Sequence, residues 1–123
     1  MIIGLGTDIV EIERIAAALS RHGGHFAERV FTTDEAAQAH GRVSYLAGRW
    51  AAKEAAAKAL GCGIGERCAL TDIEIIDDAA GAPQLSCTAP ALKTFAGKSL
   101  RWQVSISHEK AYAVATVIIE EAE

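Results

Sequence analysis

Two short stretches and one isolated residue in this chain have side chains of the types and spacing that phosphate chemistry needs. Residues 46–65 read LAGRWAAKEAAAKALGCGIG, and they carry Lys53, Glu54 and Lys58 immediately before Gly61, Gly63 and Gly65. A carboxylate binds a hard cation, ammonium groups neutralise phosphate, and glycine lets backbone come close to a phosphate. No GK[ST] ending accompanies the glycines, so a Walker-type loop is excluded. The second stretch is MIIGLGTDIV, residues 1–10, where Asp8 is the one charge in an apolar run. The isolated residue is His108, whose ordinary pKa suits either a functional or a surface role. Each has an ordinary structural alternative. Glu54 and Lys58 have the i,i+4 spacing of a helical ion pair, Asp8 could cap a following helix, and His108 could be a surface turn residue. Taken together, the carboxylates, lysines and glycines suggest a site for a metal and a phosphate.

The elements that must position these groups are legible from period and punctuation. Residues 43–60 contain no proline and are rich in alanine, the best helix former, so they are predicted to form a long central helix that Gly61 ends in the left-handed conformation. On a helical wheel Val43, Leu46, Trp50, Ala57 and Leu60 form an apolar stripe, with Lys53 inside it and Glu54 and Lys58 along its edge. Residues 1–10 read as a buried strand. Residues 11–21 read as an amphipathic helix with Ile12, Ile15, Ala16 and Leu19 inward and Arg14 and Arg21 on a shared face. Thr32-Thr33-Asp34-Glu35 has the form of a capping box, which makes Glu35 structural. Strands are expected at 72–77 and 84–87 around a turn at 77–81, and Pro90 suits the first position of a short helix. Residues 101–107 and 112–119 alternate as an antiparallel hairpin with His108 at its end. The expected fold class is α+β: one domain over residues 1–123, with an antiparallel sheet packed on a long central helix.

Bulk properties narrow the partners. A chain of 123 residues can bury a single core, and its 50% hydrophobic and 23% charged composition is that of a folded soluble domain. The net charge of −4 argues against general nucleic-acid binding, so an anionic partner must meet a local basic patch. Three cysteines without zinc spacing, no signal-peptide pattern and no apolar run long enough to span a membrane give a cytoplasmic expectation.

Three ordered motifs then resemble one family. Gly4-Leu5-Gly6-Thr7-Asp8-Ile9-Val10-Glu11-Ile12 with Arg14 resembles the N-terminal motif of holo-acyl-carrier-protein synthases, the small group of 4′-phosphopantetheinyl transferases. Arg49-Trp50-Ala51-Ala52-Lys53-Glu54-Ala55, with Lys58, Ala59, Leu60 and Gly61, is similar to the central signature, and Val104-Ser105-Ile106-Ser107-His108-Glu109 to the C-terminal one. The departures are Cys62 where threonine is frequent, and Ala82 in a Gly-x-Pro turn that often carries a basic residue.

The resemblance implies transfer of the 4′-phosphopantetheine arm of coenzyme A to a serine of apo-acyl carrier protein, with release of adenosine 3′,5′-bisphosphate, in fatty acid or polyketide biosynthesis. It implies that Asp8 and Glu54 hold Mg²⁺ and that Lys58 stabilises the departing phosphate. Lys53 is expected to support the anionic site, and Arg49 and His108 to contact the nucleotide part of coenzyme A, with Gly61, Gly63 and Gly65 beside the coenzyme. The base for the serine proton is open between Glu54, a metal-bound water and His108. Arg14 and Arg21, with Arg29, would dock the acidic carrier, and the family's homotrimers with interfacial sites imply the same assembly here. A sheet exposing Val114, Val117 or Ile119 would suit it. Two other functions fit the same residues: a small Mg²⁺-dependent phosphodiesterase, and a non-enzymatic module that binds an acidic protein through Arg14 and Arg21.

Overall fold

In the computed structural model, which describes residues 1–122, the chain runs β1 (Ile2–Glu11), α1 (Ile12–His22), α2 (Gly24–Val30), α3 (Thr33–Ala39), α4 (Val43–Ala59), β2 (Ile73–Asp77), β3 (Pro83–Cys87), β4 (Leu100–His108) and β5 (Tyr112–Glu121). Short 3-10 helices occupy Leu70–Asp72 and Pro90–Phe95, the second opened by Pro90 as expected. The sheet is antiparallel in the order β1-β5-β4, and β2 and β3 form a separate antiparallel pair. The α+β class, with an antiparallel sheet on a long helix, is what the chain adopts.

Register decides which side chains face the helix. Asp8 pairs with Ala115, which pairs with Ile106 on β4; the neighbouring rows are Gly6–Val117–Val104 and Val10–Ala113–His108. Side chains alternate across a strand, so Gly4, Gly6, Asp8 and Val10 share the face that meets α4. A Cβ on Gly6 would run into the Ala55 carbonyl and lie 2.8 Å from the Ala59 nitrogen, and one on Gly4 would meet the Ala59 carbonyl. The two glycines therefore let β1 lie directly on the α4 backbone. Gly48 does the same where β4 crosses, since its Cβ would sit 2.8 Å from Ile106 Cγ2.

Alanine performs the matching role on the helix. Ala47, Ala51, Ala52, Ala55, Ala56 and Ala57 are fully buried, so α4 is enclosed on nearly every side. The stripe expected from the wheel is too narrow: Val43 and Trp50 are only half-buried, while residues off the stripe are sealed by the sheet, the other helices and β2. Gly61, at φ 87°, ends the helix as anticipated. The capping box is present, with Thr32 Oγ1 accepting from Glu35 N and Glu35 Oε1 from Thr32 N.

Two expectations for the sheet need correction. β1 is not a buried strand, because it forms the sheet edge and only one of its faces meets α4; Leu5 and Ile9 are 64% and 63% exposed on the other. Of Val114, Val117 and Ile119, only Val114 is exposed, since the register turns Val117 and Ile119 onto the helix side, where each is fully buried. Such a side chain contributes roughly 1.5–3 kcal/mol to folding. Among the described residues no helix is long and apolar enough to cross a membrane.

Candidate active site

The close packing of β1 on α4 brings Asp8 beside the last turns of the helix. Lys58 Nζ donates to Asp8 Oδ1 at 3.1 Å and to the Thr7 carbonyl at 3.0 Å. The ordinary alternatives for Asp8 and for the Glu54–Lys58 spacing are not what the described residues adopt. The residue at the cap of α1 is Glu11, which makes no side-chain cap bond, and the ion pair of Lys58 is with Asp8 across the strand. Burial raises the Glu54 carboxyl above its usual range, the Asp8 charge raises it further, and Lys58 opposes them. Two carboxylates that feel each other, with an ammonium on one of them, form a site of alternating charge that is open to solvent on its Lys58 side.

That donor set fits a hard cation of a particular kind. Among the described residues no three His, Cys, Asp or Glu side chains gather as a metal-holding group. Two carboxylates suit Mg²⁺, which is usually held by one or two carboxylates together with substrate phosphates rather than by an all-protein cage. Asp8 and Glu54 are the residues that could hold it.

Arg49 and His108 meet elsewhere, around a recess of about 270 Å³ between the first turns of α4, the end of β4 and the β2–β3 turn. Its walls include Arg42, Tyr45, Arg49, Asp77, Pro83 and His108. Arg49 is buried and held through two of its nitrogens: Nε donates to the Ile75 carbonyl at 3.0 Å, and Nη2 to Tyr45 Oη at 2.6 Å and to Asp77 Oδ1 at 2.7 Å. Its guanidinium also lies 4.0 Å from the Tyr45 ring centre, with that of Arg42 5.0 Å from the same ring. Arg42 is exposed, its side-chain donors lying on the carbonyls of Ala39 and Gln38. Sequence reasoning missed Tyr45, Arg42 and Asp77. The Tyr45–Arg49 spacing of four was a usable signal, whereas Asp77 read only as the end of a strand and the start of a turn.

The expectation that Lys53 reaches the anionic site is corrected. Its side chain is fully buried, paired with Glu35 at 2.7 Å, and donates to the carbonyls of Leu70 (2.9 Å) and Ile73. Burial lowers its pKa while Glu35 pulls it back up. An ammonium so enclosed has no path to a ligand in solvent.

The glycine segment also works differently from expectation. The N–H groups of Gly61 and Gly63 donate to the carbonyls of Lys58 and Ala57, and that of Gly65 to Cys68. These amides close the end of α4 and its loop, so they are not a free phosphate cradle. What remains is space: a Cβ at any of the three would meet nothing within 4 Å. Nearby, the Cys68 thiol is buried and pushed up to about 12, first by that burial and then by the other thiols, which leaves it inert as a nucleophile at neutral pH. Arg14 and Arg21 are exposed on α1, whose opposite face buries Ile15. Glu109, next to His108, accepts from the N–H groups of Ala111 and Tyr112 and holds the β4–β5 turn.

One chain thus brings Asp8, Glu54 and Lys58 together, and separately Arg49 and His108. The two groups leave α4 in opposite directions, since Arg49 and Lys58 are nine residues and therefore about 180° apart around a helix. The carboxylate group lies on the β1 flank and the recess on the β2 and β4 flank.

Comparisons with known proteins converge on one family. Residues 4–117 match the model of the 4′-phosphopantetheinyl transferase superfamily. A holo-[acyl-carrier-protein] synthase of Shewanella baltica (strain OS185) is 52% identical over 123 residues, 97% of each chain. The fold matches the Helicobacter pylori holo-[acyl-carrier-protein] synthase solved in complex with coenzyme A, at TM-score 0.86 and 32% identity, covering 94% of this chain and 99% of that one. It also matches the Bacillus anthracis synthase solved in complex with CoA (3′,5′-ADP), at TM-score 0.83 and 38% identity, covering 99% of each. With a sequence match over nearly the whole chain and a shared fold, the chain belongs to the 4′-phosphopantetheinyl transferase superfamily, within its holo-[acyl-carrier-protein] synthase group.

Proposed function

We propose that this chain, as one transferase domain, moves the 4′-phosphopantetheine arm of coenzyme A onto a serine of an apo-acyl carrier protein. The products are holo-acyl carrier protein and adenosine 3′,5′-bisphosphate, and the setting is fatty acid or polyketide biosynthesis. The observation that carries this reading is the Lys58 ammonium seated on Asp8 beside a Glu54 carboxyl of raised pKa, in a chain half identical to known synthases.

In the reaction the serine oxygen forms a bond to a phosphorus of the pyrophosphate, and the bond from that phosphorus to the bisphosphate leaving group breaks. Such transfers depend chiefly on positioning and charge neutralisation. Asp8 and Glu54 would hold Mg²⁺, which supplies positive charge toward the pyrophosphate oxygens. Lys58 places a second charge where negative charge builds on the leaving phosphate. The serine proton passes to a base drawn from Glu54 and His108, of which Glu54 has a carboxyl that burial and the Asp8 charge raise. Arg42, Arg49, Tyr45 and His108 bind the nucleotide, Arg49 through a guanidinium already fixed by Asp77 and Ile75.

The active assembly is a homotrimer with sites between copies. Two observations support it. The outer sheet face exposes Leu5, Ile9, Tyr112 and Val114, the last three around an apolar hollow of about 330 Å³. His108 borders both that hollow and the recess, and the recess lies across α4 from the carboxylates, so a neighbouring copy could complete the site. Arg14 and Arg21 dock the acidic carrier.

Release of adenosine 3′,5′-bisphosphate from coenzyme A and Mg²⁺, followed by chromatography with and without apo-carrier, tests the reading. Release that requires the carrier is expected. Release without it would make the chain a phosphodiesterase, and binding of the carrier with no release would leave only a docking module.

A further inference from the structure

Among the described residues, strand β2 has β3 on one edge and no strand on the other, yet backbone groups on that other edge are taken up by side chains. The Ile73 carbonyl accepts from Lys53 Nζ, the Ile75 N–H donates to Glu35 Oε2 at 2.8 Å, and the Ile75 carbonyl accepts from Arg49 Nε at 3.0 Å. At Asp77 a single carboxamide does both jobs. Gln38 Oε1 accepts the Asp77 N–H at 2.8 Å, and Gln38 Nε2 donates to the Asp77 carbonyl at 3.1 Å. Two antiparallel residues in a hydrogen-bonded pair exchange the same two bonds. Four side chains from α3 and α4 therefore substitute for a neighbouring strand along β2.

Where this ladder ends determines what it controls. Asp77 is its last rung, and Asp77, Gly81 and Pro83 form one wall of the recess that also holds Arg49 and His108. Gln38 Oε1 additionally accepts from the Tyr45 hydroxyl at 2.9 Å, so one side chain ties the hairpin wall to the aromatic floor. Gln38 itself does not line the recess. We propose that Gln38 is a positioning residue for coenzyme A, its carboxamide replacing a strand beside Asp77 and fixing the wall against which the nucleotide binds. The inference rests on the reading of that recess as the nucleotide site. It assigns Lys53 to the same ladder, beside Glu35, rather than to the anionic site.

The test uses the full chain and its Gln38→Leu variant, with Gln38→Ala as a second variant should the first fail to fold. Three quantities are read: the Kd for adenosine 3′,5′-bisphosphate by calorimetry, steady-state kinetics, and hydrogen exchange at the Asp77 amide. The inference expects faster exchange at Asp77 with protection kept at Ile75. It also expects the Kd and the KM for coenzyme A to rise about tenfold, the scale of one or two lost hydrogen bonds, while kcat and the KM for the carrier stay unchanged. Faster exchange or a lower Tm with an unchanged Kd would make Gln38 a stabiliser of the hairpin and nothing more, which overturns the proposal. Unchanged exchange at Asp77 would overturn it as well. A wild-type chain that transfers the arm but does not bind the bisphosphate in this recess, read as no protection of Asp77 or Gly81 by the ligand, removes the nucleotide reading itself and the inference with it.

Discussion

The ammonium of Lys58 touches Asp8, and without it the Asp8 and Glu54 carboxylates would face each other uncompensated. Lys58→Ala should therefore lower kcat by about two to three powers of ten, the usual effect of removing one preorganised charge. The KM for coenzyme A should change much less, and steady-state kinetics at saturating carrier separates the two. Asp8→Ala and Glu54→Ala should each abolish most turnover with unchanged circular dichroism, and added Mg²⁺ should restore activity to chelated wild type only. Full activity of Asp8→Ala in chelator would remove the metal from the account. At this scale the sequence singled out Asp8, Glu54 and Lys58 as candidates because charges beside an apolar seam need a reason. Lys53 misled for the same reason: its explanation is Glu35, which belongs to another helix, and no local pattern couples the two.

Among the elements, β1 and α4 carry the site between them, and glycine sets their separation. Gly6→Ala would drive a Cβ into the Ala55 carbonyl, a backbone atom that cannot turn away, so β1 must move off the helix and carry Asp8 with it. Overpacking of this kind costs about 1–3 kcal/mol or more. Urea unfolding should reveal that loss, with transfer activity falling further than stability alone explains. Gly48→Ala should cost less, because its neighbour is a single side-chain methyl, Ile106 Cγ2, rather than backbone, and relief requires only a turn of the stiff Ile106 χ1. The capping box, the Gly61 stop and the β4–β5 hairpin were legible because each is local chemistry: a Thr hydroxyl, a left-handed residue, a period of two. The exposure of β1 was not, since an apolar run reads alike whether one face or both are covered. Nor was the clamp on β2, whose side chains come from two helices and whose carbonyl and amide partners leave no mark in sequence.

For the whole molecule, a chain of net charge −4 must attract an acidic partner through a local patch, and Arg14 and Arg21 are both exposed on α1. Arg14→Glu should raise the KM for carrier protein and flatten its salt dependence, leaving the KM for coenzyme A nearly unchanged, because rim charges act mostly on association rate. Arg21→Glu should do the same more mildly. The separation of the carboxylates from the recess across α4 makes a second prediction about assembly. Mixed and reassembled Asp8→Ala and His108→Ala chains should recover part of the wild-type activity, since some interfaces would then join an intact half from each. No recovery would place the whole site within one chain. The most direct measurement is the intact mass of an apo-acyl carrier protein incubated with this chain, coenzyme A and Mg²⁺, with a Glu54→Ala control. The account predicts a gain of one phosphopantetheine group on a serine with wild type and none with the variant. Unmodified carrier with wild-type protein, or equal modification by Glu54→Ala, would contradict it.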